Sequence, residues 1–257
     1  MSTQNIFNFD SSKTPLKAPR LDEGVARKTL HLLFVVDNSG SMSGERISAV
    51  NNAIRDLNSI LPDIQDDTAD ANIMVSALTF AEDAKWVHSE PKSVYDFSWK
   101  DVISDGGTNY SLTFDELNKF LSKRQDGGQM PDFGGIAPII IFMSDGMPTS
   151  EDWKEHLDKL NANKWFKNSL RYALAINIED QEALNILKEF SGSSDRLLKV
   201  YNAEALRKII NVVVVSTTKV QSKSHSVLSG SMVSSNELAA QEINLQLNDV
   251  DGIEWGE

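Results

Sequence analysis

Long apolar runs alternate along the chain with amphipathic segments, and this alternation predicts its secondary structure. Almost wholly apolar runs are typical of parallel strands whose two faces are both covered by helices. Such runs predict strands at residues 30–36, 73–80, 138–143, 170–176 and 197–201. A shorter run at residues 85–88 follows the second strand too closely for a crossover helix. It is therefore predicted to pair with that strand in the antiparallel sense.

Segments with a helical period lie between these strands. In residues 46–61 the apolar positions recur at steps of three and four and form one stripe, which predicts a helix that Pro62 ends. Further helices are predicted at residues 109–122, 153–160, 181–190 and 203–217. Strands alternating with helices predict an α/β fold. We expect a doubly wound, Rossmann-like three-layer sandwich with a mostly parallel central sheet and one short antiparallel edge strand.

The apolar pattern is confined to the middle of the chain. Residues 1–27 are mostly polar and are predicted to form an N-terminal arm, and residues 28–219 form the predicted domain. Residues 220–257 are rich in serine and then acidic, without apolar periodicity, so they are predicted to be a flexible or docking tail. Trp255 stands alone in this polar tail and is predicted to be a short docking anchor.

The net charge and the absence of cysteine exclude several classes of function. The chain has 257 residues, a formal net charge of −12 and no cysteine. Binding to nucleic acid or to an anionic membrane needs a basic face, so neither is expected. Disulfides, thiolate nucleophiles and zinc–thiolate sites are excluded. Neither an apolar run of roughly 18 residues nor the apolar centre of a secretory signal is found, which predicts a cytoplasmic protein.

Oxygen-bearing side chains follow two of the predicted strands. Asp37, Ser39 and Ser41 come directly after the first strand, and Asp145 follows the strand at residues 138–143. In a doubly wound sheet of order 3-2-1-4-5-6, these two strands end at the crevice where the strand order reverses. Thr108, after two glycines at the start of a predicted helix, is expected to face the same crevice. Hard oxygens that converge on one point suit a divalent cation such as Mg²⁺.

These five residues, in this order, resemble the metal-ion-dependent adhesion site of von Willebrand factor A domains, over about residues 28–218. The resemblance implies that Asp37, Ser39 and Ser41 bind the metal directly, and that Thr108 and Asp145 bind it directly or through water. It implies Mg²⁺, with Mn²⁺ or Ca²⁺ as alternatives, and an open position for a glutamate or aspartate of a protein partner. Contacts with the partner are predicted at residues next to these ligands in sequence and at the tail residue Trp255. The residues next to the ligands are Asn38, Gly107, Asn109 and Gly146.

The stretch at residues 138–149, which reads PIIIFMSDGMPT, is further similar to bacterial intracellular proteins of the TerY type, which are associated with tellurite resistance. This similarity implies a cytoplasmic role in a bacterial stress-response assembly. It also implies protein kinases and phosphatases among the partners.

Three other functions compete with a binding module. A Mg²⁺-dependent phosphohydrolase of the haloacid-dehalogenase type would need a second aspartate where Ser39 stands. A serine hydrolase would need a histidine at a matching strand end, and none is found. A nucleotide-binding domain would need a glycine-rich phosphate motif, which is absent. The sequence therefore favours a protein that is not an enzyme. In a narrower hypothesis, a tail acid (Asp249, Asp251 or Glu254) reaches the metal of its own or a neighbouring molecule.

Overall fold

A mixed sheet of eight strands forms the centre of the molecule. The structure is a computed structural model, and it describes residues 27–68, 71–132, 135–223, 235–247 and 250–256. The predicted N-terminal arm lies outside these ranges apart from its last residue. The strands are β1 (Lys28–Asp37), β2 (Ala71–Phe80), β3 (Ala84–Trp86), β4 (Lys92–Ser93), β5 (Ile139–Ser144), β6 (Leu170–Ile176), β7 (Leu197–Val200) and β8 (Ile253–Trp255).

The strand order is β3-β2-β1-β5-β6-β7-β8, with β4 also paired to β2. The five strands from β2 to β7 along this order are parallel, so the predicted doubly wound sheet is confirmed. The prediction of a single antiparallel edge strand is wrong. Three short strands run antiparallel, because β3 and β4 both pair with β2, and β8 pairs with β7 at the opposite edge.

Helices cover both faces of the sheet. They are α1 (Glu45–Asp66), α2 (Tyr110–Phe120), α3 (Trp153–Ala162), α4 (Lys164–Asn168), α5 (Gln181–Ser191), α6 (Ala203–Lys223) and α7 (Ser235–Leu247). Buried residues of α1, α6 and α7 pack with one face of the sheet, and those of α2 to α5 pack with the other. Successive residues of β1 alternate between these two cores, which explains why the strand is apolar throughout. In the described residues no helix is long and apolar enough to cross a membrane.

The first helix does not end where its sequence predicts. Pro62 lies inside α1, which continues for another turn to Asp66. A proline in a helix removes one backbone donor and disfavours the turn before it. Here the added turn is held by burial of Ile64 and Gln65. The Gln65 amide group donates to the Ala71 carbonyl over 2.8 Å and accepts from the Ile73 backbone over 2.7 Å, so it ties the helix end to β2.

Where the structure describes the predicted tail, it contains a helix and a strand. Helix α6 runs past the expected boundary at residue 219, and α7 packs against it through buried Ala239, Ile243 and Leu247. Trp255 lies in β8, where it pairs with Leu198 and packs partly buried against the core. These described residues therefore pack against the α/β domain, which favours the docking alternative of the prediction over the flexible one.

Candidate metal centre

Asp37 is the last residue of β1 and is completely buried. One carboxylate oxygen accepts a hydrogen bond from the Ser39 backbone amide over 2.8 Å, and the other accepts one from the Ser144 hydroxyl over 2.5 Å. Burial raises the pKa of Asp37 to about 6, although the hydrogen bonds from Ser144 and Ser39 oppose the shift and Asp145 adds to it. A carboxylate that is costly to ionise in its own surroundings is well suited to a bound cation.

Ser39, Ser41 and Asp145 form a short chain of hydrogen bonds beside Asp37. The hydroxyl oxygens of Ser39 and Ser41 lie 3.1 Å apart, and the Ser41 hydroxyl donates to Asp145 over 2.7 Å. The first two residues follow β1 and the third follows β5, its parallel neighbour. The structure therefore brings together the residues that the sequence placed at two separate strand ends.

The Thr108 loop is joined to the same edge by its backbone. The Asp105 amide donates to the Asn38 carbonyl over 2.9 Å, and the Gly40 amide donates to the Gly106 carbonyl over 2.9 Å. Thr108 itself is buried, and its carbonyl accepts from the Thr149 amide over 2.8 Å. Three loops, which follow β1, precede α2 and follow β5, thus form one hydrogen-bonded surface.

Four residues that support this surface were not singled out in the sequence. Ser144 donates to Asp37, and the Tyr110 hydroxyl lies 2.8 Å from the Ser144 hydroxyl and 3.0 Å from the Gly146 carbonyl, between which its single proton is shared. The Thr149 hydroxyl lies 3.1 Å from the Thr108 amide. The fourth is Arg46 of α1, which donates to Asp145 over 3.0 Å. Only Ser144 had a local signal, because it directly precedes a predicted ligand.

Four of the five residues predicted to contact a partner lie in the loops around the candidate site. Asn38 donates to the Ile103 carbonyl over 3.0 Å, and Asn109 caps α2 by accepting from Leu112. Gly107 lies against the Thr149 side chain, and the Gly146 carbonyl accepts from Tyr110. All four lie in the three loops of the candidate site.

The tail residues, in contrast, are remote from the candidate site. Trp255 is in β8, three strands away from β5. The Glu254 carboxylate accepts from the Tyr201 hydroxyl over 3.0 Å and lies 3.8 Å from the Lys199 ammonium. This glutamate is therefore engaged at β7 and does not reach the site of its own molecule. Asp249 lies outside the described residues.

The donor set fits a hard divalent cation. Two buried carboxylates and three hydroxyls supply oxygen only, and Mg²⁺ prefers oxygen ligands. In the described residues no group of three or more histidine, cysteine, aspartate or glutamate side chains could hold a metal. A metal at this edge of the sheet would therefore depend on the hydroxyls of Ser39, Ser41 and Thr108 as well as on the carboxylates.

Comparisons with known proteins bear on the fold around this site. Residues 32–147 match the family described as the von Willebrand factor type A domain. None of the curated proteins compared with the chain matches it.

Several solved structures share the fold. A von Willebrand factor type A protein from Catenulispora acidiphila matches with 14% identity and a TM-score of 0.53, covering 74% of this chain and 43% of that one. The pilus adhesin SpaC from Lactobacillus rhamnosus GG, in an open conformation, matches with 15% identity and a TM-score of 0.59, covering 77% and 30%. Proximal thread matrix protein 1 from the mussel byssus, with a zinc-occupied MIDAS motif, matches with 14% identity and a TM-score of 0.53, covering 73% and 48%.

The chain spans less than half the length of each of these three structures. At such low identities the likeness establishes the fold alone, and the family match extends over residues 32–147, less than half of the chain. By that match residues 32–147 are similar to the von Willebrand factor type A domain, and the three-layer architecture around them is the fold that the solved structures share.

Proposed function

We propose that this chain is a metal-dependent protein-interaction module. Its metal is Mg²⁺, with Mn²⁺ or Ca²⁺ as alternatives, and an acidic side chain of a protein partner binds through it. The residues that would hold the ion are Asp37, Ser39, Ser41, Thr108 and Asp145. One observation carries the proposal: the buried Asp37 carboxylate lies beside a chain of two hydroxyls that ends on a second buried carboxylate, Asp145.

The choice of ligands explains why the partner is acidic. Hydroxyls are neutral, so only two carboxylates offset the charge of the ion. Mg²⁺ requires a nearly octahedral oxygen shell, and five protein side chains leave a position for an external oxygen. The chain carries a net charge of −12, which would otherwise repel an acidic protein. A bound cation supplies the local attraction that the rest of the surface lacks.

The names of two solved structures support this function. One is a pilus adhesin, and another has zinc in its MIDAS motif. An adhesin and a divalent metal site on the same fold favour a metal-dependent binding role for this chain as well.

A finer assignment rests on the resemblance of residues 138–149 to the TerY type. By that resemblance the chain acts in the bacterial cytoplasm, in a stress-response assembly of the tellurite-resistance kind. Protein kinases or phosphatases of such an assembly are then the first partners to test.

Titration of Mg²⁺ into the purified chain tests the metal site directly. We expect one ion to bind in the wild type, and Asp37→Ala to weaken binding by at least about tenfold, because it removes a charged ligand. Ser41→Ala is a milder second variant that keeps the buried carboxylate. Asp56→Ala, on the exposed side of α1, is the matched control, since it removes one carboxylate that pairs only with Arg207 among the described residues. Equal affinity in all four proteins would contradict the site.

A pull-down from the native host tests the partner. Proteins captured with Mg²⁺ by the wild type and by Asp56→Ala should be lost with EDTA and in Asp37→Ala. Capture that neither EDTA nor Asp37→Ala changes would rule out metal-mediated binding.

A phosphatase assay with p-nitrophenyl phosphate and Mg²⁺ addresses the enzymatic alternative. Turnover that Asp37→Asn abolishes would replace the binding function with a phosphohydrolase.

A further inference from the structure

Arg46 places a permanent positive charge inside the candidate metal centre. Its guanidinium Nη1 donates to the Asp145 carboxylate over 3.0 Å and to the Ser41 carbonyl over 2.9 Å. The Asp145 side chain is 1% exposed, whereas the Arg46 side chain is 37% exposed. A guanidinium does not lose its proton in proteins, so this charge is present at every working pH.

The position of Arg46 in its helix is unfavourable for a cation. It is the second residue of α1, and the amino end of a helix carries a partial positive charge that favours anions. Among the described residues its only ion pair is the one with Asp145. The contact with Asp145 therefore compensates for a placement that the helix itself disfavours.

The ion pair uses the same carboxylate that a metal would need. Asp145 already accepts from Ser41 through Oδ1 and from Arg46 through Oδ2. A divalent cation among Asp37, Ser41 and Asp145 would lie close to the guanidinium, and the two positive charges would repel each other. With Arg46 in place the charge of Asp145 is already offset before any ion binds.

We propose that Arg46 is the internal counter-cation of this site, which holds Asp145 in the metal-free protein and competes with the divalent ion for it. The proposal rests on the proposed metal-binding function and defines its regulation. Arg46 raises the metal concentration at which the site fills. It also keeps Asp145 from being buried as an unpaired charge when the site is empty.

The surroundings of Arg46 offer the guanidinium a second place. A groove of about 420 Å³ lies between the start of α1 and the loops that follow β6 and β7. Arg46 lines this groove together with Glu45, Asn177 and Tyr201. If Arg46 were released from Asp145, its side chain would lie at the solvent-exposed edge of this groove, which another carboxylate, that of Glu45, also lines. The groove therefore makes displacement of Arg46 by a metal sterically feasible.

Two measurements on Arg46→Gln test the proposal. Titration with Mg²⁺ should give an affinity about tenfold higher than that of the wild type, because a repelling charge and a competitor are removed together. Thermal unfolding in EDTA should show a lower midpoint than the wild type, because the buried Asp145 charge then has no cation beside it and keeps only the hydrogen bond from Ser41. Saturating Mg²⁺ should remove most of that difference.

Arg46→Lys and Arg55→Gln are the controls. The lysine keeps the charge and should stay nearer to the wild type than Arg46→Gln in both measurements. Arg55 lies on the same helix and pairs with the exposed Asp101, so its loss should leave Mg²⁺ affinity unchanged.

The possible outcomes separate this proposal from the proposed function. If the wild type binds Mg²⁺ and Arg46→Gln binds it equally or more weakly, Arg46 is no competitor and only the metal site stands. If the wild type binds no Mg²⁺ but Arg46→Gln does, the counter-cation stands and the metal-dependent function of the natural chain falls. If neither protein binds Mg²⁺, both proposals are overturned.

Discussion

His31 is a histidine of β1 that is 1% exposed and faces the ring of Phe120, with centroids 5.7 Å apart. Neither ring nitrogen has a hydrogen-bond partner in the described part of the chain. Burial, with a smaller contribution from the charge of Arg124, lowers the pKa of His31 from 6.5 to about 4. As the pH falls, His31 therefore takes up a proton in the unfolded chain at a higher pH than it does in the folded protein.

The consequence is a loss of stability in mild acid. The pKa of His31 is lower in the folded state than in the unfolded chain. The folded state therefore keeps its full stability above pH 6.5, where His31 is neutral in both states, and loses stability as the pH falls towards 4. Between pH 7 and pH 5 the free energy of unfolding should fall by about 2 kcal/mol from this residue alone. Urea unfolding at both pH values measures it. His31→Leu should show a drop smaller by that amount, and an equal drop in both proteins would disprove the assignment.

Residue types at strand ends made the candidate ligands predictable. Asp37, Ser39 and Ser41 are adjacent in the chain, and Asp145 follows a strand whose place in the sheet the alternating pattern predicts. Arg46 could not be found this way, and the only sequence signal of Ser144 is its place next to Asp145. Their partners lie 99 and 107 residues away in sequence, so their roles exist only once β1, α1 and β5 have been packed together.

At the scale of elements, one side chain ties the last turn of α1 to β2. Gln65 is buried and makes three hydrogen bonds, to the Thr68 and Ala71 carbonyls and to the Ile73 amide. Gln65→Ala should lower the free energy of unfolding by about 2–3 kcal/mol, because it leaves buried backbone groups without partners. Chemical denaturation measures this change. Asp63→Ala, an exposed change in the same turn, should stay within about 0.5 kcal/mol. Equal effects would mean that the helix end is not anchored.

Element boundaries show what a periodic pattern can predict. The strand at residues 170–176 and the start of α5 at Gln181 are where the apolar pattern predicts them, and in the structure Asp180 caps that helix. The end of α1 does not, because local sequence gives proline a strong preference to stop a helix, and a contact with β2 overrides it. The short β4 and β8 have too few residues to carry a pattern at all.

At the scale of the whole molecule, the tail adds a helix to one face of the domain. Ile243 of α7 is fully buried, whereas Leu245 of the same helix is 79% exposed. Ile243→Ala should cost about 2–4 kcal/mol of unfolding free energy, as expected for a cavity in a packed core. Leu245→Ala should cost less than about 0.5 kcal/mol. Denaturation curves of the two variants test whether α7 is part of the folded unit, and two unchanged curves would restore the flexible tail.

The short antiparallel strands have a consequence for assembly. A sheet whose outermost strand is long and bare can capture a strand from another molecule, and through repetition it can grow into a fibre. Here β8 covers β7 for only three residues, while β3 and β4 together share the outer side of β2. In the part of the chain that the structure describes, both edges of the sheet are therefore formed by short strands. The molecule is poorly suited to joining its neighbours through backbone pairing, which leaves recognition to side chains and to whatever they hold.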